Sequence, residues 1–71
     1  MPNNQAPFGW TVIRRDSEPR GFFVYKREVP GHYAADLAPF TFSTYAEAVA
    51  SGLRGEFAYK DMRPIAEDWK E

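Results

Sequence analysis

The spacing of apolar positions changes period once, and that change organises the chain. Phe40 and Phe42 share one parity about Thr41, as residues of a strand do. From Tyr45 onward, Tyr45, Ala48, Val49 and Leu53 recur at helical spacing. Thr44 stands where an N-cap is wanted, because its hydroxyl can accept from an early backbone N–H that has no partner within the helix. Glu47, three residues on, completes a capping box by reaching back to the Thr44 N–H. The pattern predicts a strand running into a helix that folds back on the sheet, with Glu47, Ser51 and Arg54 on its polar face.

Upstream, residues 8–14 predict a first strand. Trp10, Val12 and Arg14 point one way; Thr11, Ile13 and Arg15 point the other. Residues 16–21 carry turn chemistry. Residues 21–27 form a second strand without alternation, with Phe22 and Val24 on one face and Phe23 and Tyr25 on the other. An unbroken apolar run suits a central strand covered on both sides. Pro30 and Gly31 match a type II turn. A third strand over residues 32–37 follows, and Pro39 confines it to an edge or a bulge because proline cannot donate to a ladder.

After the helix two readings compete. Gly52 or Gly55 ends it as a left-handed cap, and residues 56–60 form a fourth strand with Phe57 and Tyr59 inward. Alternatively the helix runs on to about Lys60, with Phe57 extending the apolar row and Glu56 and Lys60 as an i,i+4 pair; this longer helix is preferred. Pro64 suits the first position of a short helical turn on which Ile65 and Trp69 share a face. The expected fold is α+β: an antiparallel sheet of three or four strands, one main helix packed on one face, and a short C-terminal helical turn. Residues 1–7 are expected to be a disordered lead-in and residues 8–62 a single α+β domain. Residues 63–71 form a C-terminal turn that docks on the domain or on a partner.

Residues 20–26 resemble the aromatic strand of RNA-recognition motifs in their basic–Gly–aromatic opening. They lack the small residue that keeps two aromatics on one face, so Phe22 and Phe23 part to opposite faces and the exposed stacking pair is lost. A buried central strand is the better reading.

Composition sharpens the packing problem. A chain of 71 residues buries only about 60% of its unfolded surface, and it has no cysteine to cross-link it. It carries two tryptophans, four tyrosines and six phenylalanines, each of which removes about 150–250 Å² from water when buried. One helix covers one sheet face, yet the central strand is aromatic on both. Phe23 and Tyr25 are therefore expected either to meet Trp69 within the chain or to meet another molecule.

Net charge is −1, which gives no overall pull toward nucleic acid. The charges are unevenly placed. Residues 1–35 hold Arg14, Arg15, Arg20, Lys26 and Arg27 against Asp16, Glu18 and Glu28, or +2. Residues 36–71 hold Arg54, Lys60, Arg63 and Lys70 against Asp36, Glu47, Glu56, Asp61, Glu67, Asp68 and Glu71, or −3. Ordinary surface charge explains this; a basic sheet edge meeting an acidic partner is the sharper alternative. No run is long or apolar enough to cross a membrane, and the N-terminus lacks the pattern of a signal peptide. With no cysteine, a cytoplasmic location is expected.

Little in the chain suggests catalysis. His32 is the single imidazole, on a turn where solvation is expected, and a nucleophile would have to come from Ser17, Ser43 or Ser51. No metal site and no cofactor are expected. The expected function is a small non-enzymatic interaction module that binds a protein partner or self-associates as a homodimer through an aromatic sheet face. Its partner-binding residues would be Phe23, Tyr25 and Trp69, with Arg14 and Arg27 beside them. The alternative is a nucleic-acid-binding domain using the basic residues around the aromatic strand. A small hydrolase using His32 is the remote alternative.

Overall fold

The computed structural model describes residues 9–71, so the expected lead-in lies outside the described residues. Strands β1 (Trp10–Arg15) and β2 (Gly21–Lys26) form an antiparallel pair in the register Val12↔Val24 and Ile13↔Phe23. This puts Val12, Val24 and Phe22 on one face and Ile13, Phe23 and Tyr25 on the other. β2 is interior, as its unbroken apolar run implies. Two short strands complete the sheet: β4 (Thr41–Phe42) beside β2, and β6 (Trp69–Lys70) beside β1.

The other two strands lie outside this sheet. β3 (His32–Ala34) pairs with β5 (Met62–Pro64) in an antiparallel ribbon. The type II turn before β3 is present, with the Val29 carbonyl accepting from the His32 N–H and Gly31 at φ 80°. Placing the third strand at an edge of the main sheet is therefore corrected. The chain has a second apolar face to close over Ile13, Phe23 and Tyr25, and Ala34 and Leu37 pack into that cluster. A 3-10 turn over Ala38–Phe40, with Pro39 among its first residues, then carries the chain into β4.

Helix α1 (Tyr45–Leu53) covers the face bearing Trp10, Val12 and Val24. Thr44 caps it, its hydroxyl accepting from the Glu47 N–H at 3.2 Å. The Glu47 carboxylate accepts from the Ser43 hydroxyl at 3.3 Å rather than closing the expected box on the Thr44 N–H. The buried side of the helix is Ala48, Ser51 and Gly52, whereas Leu53 is 66% exposed. Ser51, expected on the polar face, is buried and its hydroxyl donates to the Glu56 carbonyl at 2.8 Å.

The longer helix is also corrected. Gly55 takes φ 79°, its N–H donates to the Gly52 carbonyl, and the Glu56 N–H donates to the Ser51 carbonyl at 3.0 Å. These two bonds are the Schellman closure that a glycine just past the helix makes possible. Beyond the helix only Ala58 joins β2, bridging Tyr25 in parallel. The expected parity is reversed: Ala58 is buried and Tyr59 exposed, because the small alanine is the side chain that fits against the Ile13, Phe23 and Tyr25 cluster. The expected C-terminal helical turn is instead β5, a connection and β6. Trp69 and Lys70 gain more by completing a ladder on β1 than a short isolated helical turn could supply.

Candidate functional site

The C-terminal tail closes the second sheet face, and its chemistry explains the uneven charge. Register sets Trp69 opposite Arg15 and Lys70 opposite Arg14. Trp69 therefore lies on the face of Phe23 and stacks on it, with ring centroids 5.2 Å apart and planes 10° from parallel. Tyr33 of β3 contacts the same indole at 4.3 Å, and the Arg15 guanidinium lies 5.3 Å from the ring centre, a cation–π distance.

Acidic side chains of the tail meet basic ones of the sheet. Arg15 pairs with Asp68 at 3.1 Å, and Ser17 donates to the same carboxylate. These hydrogen bonds hold the Asp68 carboxyl below its ordinary range. Glu71 accepts from the Tyr25 hydroxyl at 2.7 Å and pairs with Arg27 at 3.3 Å. Burial, and then the bond to Glu71, push the Tyr25 phenol above its ordinary value. On the opposite face Arg14 and Lys70 are like charges directly across the ladder, an unfavourable arrangement. Asp16 relieves it, lying 3.2 Å from Arg14 and 3.1 Å from Lys70. The Lys70 hydrogen bond is the main reason the Asp16 carboxyl is lowered.

The five residues expected to bind a partner thus have separate fates. Phe23 and Tyr25 are 3% and 0% exposed and meet the chain's own tail. Arg14 and Arg27 are paired with Asp16 and Glu71. Trp69 is half-buried and borders an open groove of about 330 Å³. Phe23, Tyr33, Leu37 and Arg20 line it as well; Phe23 and Leu37 are buried, Tyr33 is half-buried and Arg20 is exposed, as a residue at the rim is. Tyr33 and Leu37 escaped the sequence pattern because their strand was assigned to the sheet edge. Among the described residues Arg20 has no carboxylate partner; its Nε donates to the Asp16 carbonyl at 3.1 Å.

His32 begins β3, half-buried, and its Nδ1 lies 3.2 Å from the Pro30 carbonyl. Ser17, Ser43 and Ser51 bond to Asp68, Glu47 and the Glu56 carbonyl respectively, so none is paired with the imidazole. Among the described residues no cluster of three His, Asp or Glu side chains is arranged to hold a metal, and no helix is long and apolar enough to cross a membrane. Comparison with protein-family models, with curated proteins and with solved structures found no match for the chain.

Proposed function

We propose that the chain is a small non-enzymatic interaction module that takes an extended, acidic segment of another protein into the groove beside Trp69. The observation that carries this reading is an aromatic groove with an arginine at its rim whose charge no carboxylate among the described residues neutralises. Aromatic-lined grooves of this kind suit extended backbones, whose apolar side chains or proline rings enter between the rings. The Arg20 guanidinium supplies planar N–H donors for a carboxylate. A nucleobase is the less favourable occupant. Trp69 already has Phe23, Tyr33 and Arg15 at stacking distance, whereas stacking a base requires an open ring face. A cytoplasmic location belongs to the same proposal.

The test is to select linear peptides from a displayed library on the purified protein and follow the best binder by NMR. The expected result is enrichment of acidic residues next to apolar ones or proline, a moving Trp69 indole signal, and loss of binding in Arg20→Glu. Selected peptides that bind Arg20→Glu unchanged would show that the groove does not take them. Oligothymidine titrated on the same signal tests the rival: displacement of the peptide, with affinity falling steeply as salt rises, would shift the reading to nucleic acid.

A further inference from the structure

Beside β2, where Ala58 bridges Tyr25, residues 57–59 present an incomplete ladder. Ala58 turns its own backbone inward, donating to the Val24 carbonyl at 3.3 Å and accepting from the Lys26 N–H at 2.6 Å. Its neighbours Phe57 and Tyr59 therefore turn theirs outward, by the alternation of an extended chain. Among the described residues the N–H and C=O of Phe57 and Tyr59 have no hydrogen-bond partner. Proteins normally blunt such an edge or cover it. This one is flanked by aromatic rings: Phe57 stacks on Trp10 at 6.4 Å, and Tyr59 meets Phe57 edge-on at 6.2 Å while remaining 66% exposed.

We infer that a second copy of this chain pairs here, antiparallel about a two-fold axis centred on Ala58. In that register Phe57 lies opposite Tyr59 of the second copy, and the four outward groups of each chain close four hydrogen bonds with none left over. The charges select a copy of the same chain as the occupant. The register that pairs Phe57 with Tyr59 also sets Lys60 opposite Glu56 of the second copy, twice by symmetry. Lys60 has no carboxylate partner among the described residues, and Glu56 is an exposed carboxylate held on one side by Arg54 at 3.1 Å. Opposite charges directly across a ladder favour the pairing, and like charges oppose it. Asp36 and Lys60 border the same shallow hollow with Phe40, so the surroundings carry both signs, as a surface that meets its own copy requires.

Sedimentation equilibrium over a wide concentration range, on the full chain and on charge-reversed variants, tests this. The full chain should show a monomer–dimer equilibrium. Lys60→Glu and Glu56→Lys should each weaken it by about tenfold, since each change acts twice per dimer, and the double variant should restore it. Amide exchange at Phe57 and Tyr59 should slow as protein concentration rises. A chain that stays monomeric throughout, a dimer indifferent to either reversal, or a double variant that does not recover would each overturn the inference.

Discussion

Gly52 decides how closely the helix approaches the sheet. A Cβ built there would lie 2.2 Å from Cζ3 of Trp10, and that indole is 2% exposed, packed in the cluster under the helix. Ala48, Ser51 and Gly52 are the buried face of the helix, and at Gly52 the ring occupies the space a side chain would take. Gly52→Ala should therefore destabilise the domain by about 1–3 kcal/mol through overpacking, although alanine alone favours a helix by about 1 kcal/mol over glycine. A urea midpoint that stays put or rises would show that Trp10 has room to move. Thr44 was legible in the sequence because capping depends on local chemistry. Gly52 was not, because a stripe search follows large apolar residues, and this contact is defined by where side-chain volume is missing.

At the scale of elements, the strands that alternate or run unbroken declared themselves; of the short ones, β4 was read from Phe40 and Phe42 and β3 as part of a longer strand, whereas β5 and β6 fell in a stretch not read as strand. β1, β2 and α1 were legible because each carries enough positions to establish a period. β5 and β6 are shorter than any period can establish, and the places of β3, β5 and β6 depend on which apolar face still needs cover. The pairing of tail with sheet was half legible: the charge asymmetry between the two halves was visible, but not that both sides of it lie within one chain. This docking makes a pH prediction. The Tyr25 phenol is raised above its ordinary value of 10.0 by burial and by Glu71, so the folded chain holds that proton more tightly than the unfolded chain does. The resulting stability is fully present below about pH 10 and is lost as pH rises beyond it. Unfolding midpoints measured from about pH 8 to about pH 11 should fall at the alkaline end, and Tyr25→Phe should flatten that fall. An equal alkaline fall in the variant would place its origin in another group.

The whole molecule has three layers: helix, four-stranded sheet, and the β3–β5 ribbon, with the Trp69 side chain of β6 filling the space between sheet and ribbon. This arrangement answers the problem of a small chain with two apolar sheet faces. Its radius of gyration is 10.7 Å, close to the value of about 11 Å for a compact chain of this length. The two apolar clusters lie on opposite sides of β1 and β2, and Phe40 contributes to both. The second face is closed from within by Trp69. The most direct measurement of this closure is a nuclear Overhauser experiment on a dilute sample of the full chain. Cross-peaks from the Trp69 indole to the rings of both Phe23 and Tyr33 are expected, unchanged on dilution. A Trp69 indole with random-coil shifts and no cross-peak to Phe23, or cross-peaks that fade on dilution, would contradict it.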